Sequence, residues 1–509
     1  MMRWLGGNVL AVALVCSAGA WGQSEFWGEL KAGKYSVGFR TLYLQDAARS
    51  YDTEYAPAGT AAVKKPRPLF VAIWYPSTTR NDAAIERSMM YRDYLRAISV
   101  DSPSADFAAR LRRHTRDATV EYMLGKEFDK LGEEERAEWE GLQATPVFAV
   151  SNVAPAPGKF PVVIHHPGLG GSYEDNAVAC EYLASHGYVV LSSAYQAADS
   201  SLLNITSDLA TSLEDLNFLL RYAGTLPYAD VSKVGAMGHS YGAQAMLGWR
   251  AQPNSAVDAV VFLDSTVVYQ PLDEFPGFKA ALEQNRKSAA PVLFVADARR
   301  QPRFETFDPY LGYAPRYEAT VEGLEHNDFV SQGAIRKSEA VRKNYESVCR
   351  VMVQFFDAHL KGDAGARAAL RSAGGPLVVK YKEGRDVPPT GAQIAQLYTS
   401  EAPRNLQVLN GLVQSIDAEL LSEAADLLDE QGKSRESIGL LTWAVSRMPK
   451  SALLRAALGE SAATMGDKSG ARKHFETALE LMPDDHTLEA SEKLMLSKKI
   501  ETAILALRK

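Results

Sequence analysis

A glycine–X–serine–X–glycine pentapeptide is the short motif in this chain with the clearest chemical meaning. It reads Gly238-His239-Ser240-Tyr241-Gly242 and lies between an apolar run, Lys233 to Met237, and a helical stretch, Ala243 to Trp249. A tight turn from strand to helix exposes the serine hydroxyl above the edge of a sheet, and the two glycines permit that turn. We therefore predict that Ser240 is a nucleophile.

A serine hydroxyl is a weak nucleophile until a neighbouring base takes its proton. In folds with this turn, the base is a histidine that follows both the serine and the acid along the chain. Of the nine histidines, His326 alone lies late in the domain, in a loop after a short predicted strand. We predict that His326 is the general base.

Two aspartates are candidates for the acid that orients the imidazole and stabilises its charged form. Asp264 directly follows one apolar strand, and Asp297 directly follows the next. The position after the later strand is the usual one in folds of this kind, which favours Asp297. The carboxyl ends of neighbouring strands lie side by side, so both residues stay open at this point.

The negative charge that develops on a carbonyl oxygen requires backbone N–H donors. One is predicted from Tyr241, the residue after the nucleophile, and the other from a loop after an early strand. The glycine-rich segment His165 to Gly171 fits that loop, with Leu169 as the donor. A metal bound by its two histidines is the alternative, but no further ligand cluster supports it, and we expect neither a metal nor a cofactor.

Continuous apolar runs separated by helical stretches predict the elements that position these residues. Such runs indicate a mostly parallel sheet with helices on both faces, an α/β fold with its chemistry at the carboxyl ends of the strands. We place this domain at residues 24–404. Residues 82–142 interrupt the pattern with helical spacing and no strand signal, and they are either a surface insertion or a lid over the site. The runs are 69–75, 160–164, 188–191, 234–237, 259–263 and 291–296.

The last part of the chain, residues 405–509, is predicted to be entirely helical and repeats with a period of 34 residues. Two copies that resemble tetratricopeptide repeats run from about Ala418 to Ser451 and from Ala452 to Asp485, and a helix from Thr487 to Leu505 is expected to cap them. A protein partner for these repeats is one interpretation of their presence. The matched pairs are Gly432 with Gly466, Ser437 with Ala471, Leu441 with Phe475, Ala444 with Ala478, and Pro449 with Pro483.

The first 20 residues have the features of a cleaved signal peptide. Arg3 supplies the positive charge, Val9 to Val15 is an apolar run too short to cross a bilayer, and Ala18-Gly19-Ala20 offers a cleavage site. We therefore expect export to the periplasm or the extracellular space, with no membrane span in the mature chain. Two cysteines follow, Cys180 and Cys349, and two free buried thiols are favoured over a disulfide.

The overall charge narrows the classes of partner. The formal net charge is −7, with acidic and basic residues mixed along the chain. Nucleic-acid binding requires a basic face. We therefore expect no nucleic-acid partner. The charge does not define the substrate, for which we expect a small-molecule or lipid ester.

Several of these segments, in this order, resemble the plasma platelet-activating factor acetylhydrolases and their bacterial dienelactone-hydrolase-like relatives. The similarity extends from about Phe70 to Lys361, although Pro167 stands where that family has a histidine, and the helical tail has no counterpart there. The matching segments are Gly168 to Ser172, Tyr182 to Val190, Gly238 to Gly242, Leu263-Asp264 and His326 to Phe329.

The resemblance implies an α/β-hydrolase fold and a Ser240–His326–Asp264 triad with Leu169 and Tyr241 as oxyanion donors. It favours Asp264 over Asp297, because in that family the acid follows the strand after the nucleophile. It also implies hydrolysis of carboxylic esters with short or modified acyl chains. A peptidase or amidase on the same scaffold is an alternative, and a non-catalytic scaffold that binds a partner through the repeats is another.

Overall fold

The computed structural model divides into two compact units, Met1–Gly384 and Arg385–Lys509. The predicted signal peptide, residues 1–20, lies outside the residues that the structure describes, and so does the predicted domain boundary at residue 404. The described residues are 27–52, 64–78, 88–96, 105–197, 208–331, 338–372, 376–387, 389–400 and 416–507.

The first unit contains a mixed α/β fold around one large sheet, which confirms the predicted fold class at that level. Eleven strands of the described residues form the sheet in the order β11-β10-β9-β8-β7-β5-β6-β2-β1-β4-β3. The strands are β1 (Ser36–Asp52), β2 (Lys64–Ser77), β3 (Ser88–Met90), β4 (Pro146–Ser151), β5 (Phe160–His166), β6 (Val189–Ser193), β7 (Ala229–His239), β8 (Val257–Leu263), β9 (Val292–Asp297), β10 (Arg316–Val321) and β11 (Leu377–Lys382).

The central strands are parallel and include five of the six predicted apolar runs. Strands β6, β5, β7, β8, β9 and β10 pair in parallel. The sixth run lies in β2, which is antiparallel to both of its neighbours, β1 and β6. The carboxyl ends of β5, β7, β8 and β9 therefore lie at one edge of the sheet.

Alternate residues of each central strand enter two separate hydrophobic cores, one on each face of the sheet. In β5, Val163 packs in one core, whereas Val162 and Ile164 pack in the other. Because both faces are covered, most of these strands contain a continuous apolar run. The helices of this unit are Tyr91–Arg96, Ala105–Leu124, Glu133–Gln143, Ala177–Ser185, Leu209–Ala223, Tyr241–Arg250, Pro276–Glu283, Glu339–Leu360 and Ala364–Arg371.

The described part of the predicted insertion, residues 88–96 and 105–142, forms helices and one strand that the sequence did not predict. This short strand, β3, pairs antiparallel with β4 at the edge of the sheet. Only three residues long, β3 gives no periodic signal. The longest described helix of the insertion, Ala105–Leu124, contributes the buried side chains of Phe107 and Leu111 to one of the two cores.

Cys180 and Cys349 are buried free thiols, the alternative that the sequence favoured. Cys180 lies in helix Ala177–Ser185 and Cys349 in helix Glu339–Leu360, and both belong to the same hydrophobic core. Burial raises the pKa of Cys349 to about 12. Both side chains therefore act as small apolar groups.

The second unit is all-helical in its described residues. Its two helical pairs repeat with the predicted spacing, because each helix of the second pair begins 34 residues after its counterpart. Helix Gly391–Ser400 precedes the predicted boundary, yet its Ile394 and Ala395 pack in the core of this unit with Leu421. The remaining helices are Ala418–Glu430, Ser434–Arg447, Ala452–Thr464, Lys468–Leu481 and Ala490–Ala506.

Across the described segments of both units, no helix has the length and apolar composition that a bilayer span requires.

Candidate active site

Ser240 lies in a strained turn between strand β7 and helix Tyr241–Arg250. Its backbone has φ 56° and ψ −122°, a conformation that L residues rarely adopt and that costs about 1–3 kcal/mol. The Ser240 N–H donates a hydrogen bond of 2.9 Å to the carbonyl oxygen of Leu263, at the end of β8. The turn therefore projects the hydroxyl above the carboxyl edge of the sheet.

Both glycines of the pentapeptide are required by close backbone contacts. A Cβ atom on Gly238 would lie 2.4 Å from the carbonyl carbon of Gly242. A Cβ atom on Gly242 would lie 2.1 Å from the carbonyl oxygen of His166 and 2.4 Å from that of Pro167. The nucleophile turn and the loop after β5 are thus in direct backbone contact.

The structure brings three of the predicted residues into one hydrogen-bonded chain. His326 Nε2 lies 2.9 Å from Ser240 Oγ, and His326 Nδ1 lies 2.7 Å from Asp264 Oδ2. The His326 side chain is 35% exposed, whereas that of Asp264 is 0% exposed. A buried carboxylate, an imidazole and a half-exposed hydroxyl therefore follow one another toward the solvent.

The surroundings of Asp264 hold its carboxylate in the charged form. Burial raises the pKa of this group, but hydrogen bonds from His326 and Tyr269 outweigh burial, so that the pKa is lowered overall. The Tyr269 hydroxyl donates to Oδ1, and the Asp297 N–H donates to the same oxygen at 3.2 Å. The Arg300 guanidinium lies 3.6 Å from Oδ2.

Asp297, the alternative acid, is directed elsewhere. Its carboxylate accepts hydrogen bonds from the backbone N–H and the Nε of Arg299, at 3.0 and 3.1 Å. Its own N–H donates to the Tyr269 hydroxyl at 2.9 Å. The geometry therefore places Asp264, and not Asp297, against His326.

His239, inside the pentapeptide, supports the His326 loop from behind. Its Nε2–H donates to the carbonyl oxygen of His326 at 2.9 Å, and the two imidazole rings lie 4.6 Å apart. Burial, followed by the nearby His326, lowers the pKa of His239 to about 3. His239 therefore remains neutral near pH 7 and fixes the loop that carries His326.

The two predicted oxyanion donors are Leu169, in the loop after β5, and Tyr241, at the start of helix Tyr241–Arg250. Leu169 and Gly170 are half-buried, and neither the Leu169 amide nor the Tyr241 amide donates a hydrogen bond within the described residues. The Tyr241 amide is the first of its helix, where N–H groups have no partner in the helix itself. Both amides are therefore available to an anionic oxygen.

The two histidines of β5 have protein partners. His165 Nδ1 lies 2.9 Å from Ser192 Oγ, and His166 Nδ1–H donates to the Pro167 carbonyl oxygen at 2.7 Å. Among the described residues, no group of three or more potential ligands could hold a metal ion. These histidines therefore support the sheet and the loop.

Sequence reasoning missed Tyr269 and Arg300. The Arg300 guanidinium lies 3.8 Å from the centre of the Tyr269 ring, a cation–π contact beside the acid. No motif marks either residue, because each reaches Asp264 from a short 3₁₀ turn after a strand. The only sequence feature that could have indicated these two residues is their position a few residues after β8 and β9.

No protein-family model matches this chain, and no curated protein sequence matches it. Among solved structures, a ferulic acid esterase from Streptomyces cinnamoneus is similar to it, with 19% sequence identity and a TM-score of 0.45. That similarity covers 69% of this chain and 98% of the esterase.

Proposed function

We propose that the first unit is an α/β hydrolase that cleaves carboxylic esters through a serine nucleophile. One observation carries this proposal: Ser240, His326 and Asp264 form a continuous hydrogen-bonded chain on a strained strand-to-helix turn. A serine, a histidine and an acid in these mutual positions are recognised as a triad by geometry and role, whatever their spacing in sequence.

In the proposed reaction, Ser240 Oγ attacks the ester carbonyl carbon while His326 Nε2 takes the hydroxyl proton. The carbonyl oxygen becomes an oxyanion and is stabilised by the Leu169 and Tyr241 N–H groups. His326 then returns the proton to the departing alcohol, which leaves an acyl-enzyme. A water molecule then attacks the carbonyl carbon of the acyl-enzyme while His326 takes its proton. The carboxylic acid is released, and Ser240 Oγ recovers its proton from His326.

Asp264 has the role of orienting His326. Its carboxylate accepts the Nδ1–H, which leaves Nε2 unprotonated and able to accept the serine proton. The lowered pKa of Asp264 supports this role, because an ionised carboxylate also stabilises the imidazolium that forms during the reaction.

The proposed substrates are small or lipid-like esters with short or modified acyl chains, as the family resemblance implies. An amidase or peptidase would use the same triad, since preference for the leaving group depends on the shape of the site. Chromogenic esters of graded acyl length, compared with the matching anilides, separate the two activities. Faster turnover of the anilides would replace the ester proposal with the amidase.

The proposal is tested by Ser240→Ala. This change is expected to abolish both ester hydrolysis and covalent labelling by a fluorophosphonate probe, because the probe reacts with an activated serine. Ser232→Ala is the matched control, since Ser232 lies exposed in the same strand and bonds only to Asp230. Undiminished labelling of Ser240→Ala would refute the assignment, and an unlabelled, inactive wild type would favour the scaffold alternative.

Export and the nature of the second unit are also proposals. Residues 1–20 support export, through their charge, apolar run and small residues at the cleavage site. The 34-residue spacing supports two tetratricopeptide-like repeats, with a protein partner as their proposed ligand. Sequencing the N-terminus of the mature protein tests the first proposal.

A further inference from the structure

The insertion is attached by side-chain hydrogen bonds to Ser172 and Glu174, which follow the glycine-rich loop His165 to Gly171. The Ser172 hydroxyl donates to Thr115 Oγ1, and the Thr119 hydroxyl donates to Glu174 Oε1, each at 2.9 Å. Thr115 and Thr119 are four positions apart in helix Ala105–Leu124, so they lie on one face of it. That face of the helix is therefore fixed along the loop.

Tyr122 lies on the same helical face, one turn further along. A Cβ atom on Gly168 would lie 3.3 Å from the Tyr122 hydroxyl oxygen and 3.4 Å from Ser240 Cβ. The Tyr122 hydroxyl and Ser240 Cβ therefore both lie against Gly168, the residue that precedes Leu169. Tyr122 is half-buried, and its hydroxyl makes no hydrogen bond within the described residues.

The Tyr122 hydroxyl is a donor under ordinary conditions. Its pKa is raised well above the usual range, first by burial and then by the negative charges of Asp175, Glu121 and Glu174. The phenol therefore keeps its proton and offers it to an acceptor in the site. An oxygen that becomes negative next to Ser240 is the acceptor that this position suits.

We propose that Tyr122 is a further catalytic residue, whose hydroxyl donates a hydrogen bond to the ester carbonyl oxygen as it becomes an oxyanion. The proton stays on Tyr122 throughout, and the bond adds a side-chain donor to the two backbone donors. This inference rests on the proposed function. It also assigns a role to the insertion, which thereby forms part of the catalytic site.

The experiment compares Tyr122→Phe with the wild type in the full chain. Removal of one oxyanion donor costs about 10²-fold in kcat, and KM is expected to stay within about twofold, because the bond strengthens only as charge develops. A trifluoromethyl ketone, which forms a tetrahedral oxyanion on the serine, is expected to bind more weakly by a similar factor. A merely structural role would not produce this loss of inhibitor affinity at unchanged KM.

Tyr222→Phe is the matched control. Tyr222 is also half-buried, but it packs against the core on the opposite face of the sheet. Loss of its hydroxyl is therefore expected to change neither kcat nor the affinity for the inhibitor. A Tyr122→Phe enzyme with wild-type kcat, or one with a raised KM and unchanged inhibitor affinity, overturns the inference. Ser240→Ala separates the two proposals: if that variant is inactive while Tyr122→Phe is unaffected, only the role of Tyr122 fails.

Discussion

Replacement of Asp264 by asparagine is expected to reverse the tautomer of His326. The Oδ1 atom of Asp264 accepts from both the Tyr269 hydroxyl and the Asp297 N–H, whereas Oδ2 faces His326 Nδ1. Asparagine has one oxygen, and two donors hold that oxygen at the Oδ1 position. Its NH₂ group must then face Nδ1, which becomes the acceptor and leaves the proton on Nε2.

A His326 protonated on Nε2 cannot take the proton of Ser240. Loss of the correct tautomer in a triad costs roughly 10⁴-fold in turnover. At about 1.36 kcal/mol for each factor of ten, this is about 5 kcal/mol of transition-state stabilisation. Substrate binding is not expected to change, because Asp264 is fully buried and has no surface toward the substrate.

The assay is the initial rate of hydrolysis of a short chromogenic ester, with thermal unfolding as the test of an intact fold. Asp297→Asn is the matched control, since the Asp297 carboxylate is also buried, at 4% exposed, but bonds to Arg299 and not to His326. The control is expected to lose less than about tenfold in turnover, because it leaves the tautomer of His326 unchanged.

Two results would refute this reasoning. If Asp297→Asn is the crippled variant and Asp264→Asn is active, the acid is Asp297, and the loop after β8 rearranges on substrate binding. If both variants keep near wild-type turnover, His326 needs no acid and the hydrogen-bonded chain has a structural role.

Two further predictions concern the support of the site. Tyr269→Phe removes a donor to the buried carboxylate, so the free energy of unfolding is expected to fall by about 1.5–3 kcal/mol at pH 7. Because the pKa of Asp264 is lowered on folding, this stabilisation is present above the ordinary pKa of 3.8 and is lost as the pH falls through the folded value. Urea unfolding at several pH values should therefore show the difference shrinking in acid, and a gap that is constant with pH would contradict it. Gly242→Ala is expected to destabilise the protein by about 3 kcal/mol or more and to inactivate it, because the added methyl group would meet the His166 carbonyl oxygen at 2.1 Å. Gly277→Ala is its control, a helical glycine with open space around it that should be neutral or slightly stabilising, and equal effects of the two changes would contradict the packing argument.

The interior of the sheet could be predicted because each of its strands is buried on both faces. Strands β5 and β9 each contain a continuous apolar run before their polar carboxyl ends, and this composition is visible without a structure. Strand β1 was not predicted, although it is the longest of the described strands. Much of it is partly exposed, and it contains Arg40, Asp46 and Arg49, so its sequence gives no continuous apolar signal.

Ser240 and His326 could be predicted from a short motif and from chain order, whereas the choice of the acid could not. The pentapeptide predicted Ser240, and the position of a late histidine predicted His326. In the structure, Ser240 Oγ and His326 Nε2 lie 2.9 Å apart. Asp264 and Asp297 end adjacent parallel strands, so spacing cannot separate them. The choice depends on the direction of one carboxylate, which follows from a backbone φ of 34° at Asp264 and from the hydroxyl of Tyr269.

The attachment of the insertion through hydroxyl groups divides the chain into parts that can change at different rates during evolution. Thr115, Thr119 and Ser172 join the helix to the segment after β5 through their side chains. Changes at exposed positions of the helix therefore leave the ladders of the central sheet intact, whereas Phe107 and Leu111 are held in the core. The turn at Ser240 has no such freedom, because its glycines touch neighbouring backbone. New substrate preferences can therefore arise by substitutions on this one helix that keep Tyr122, while the proposed catalytic residues stay in place.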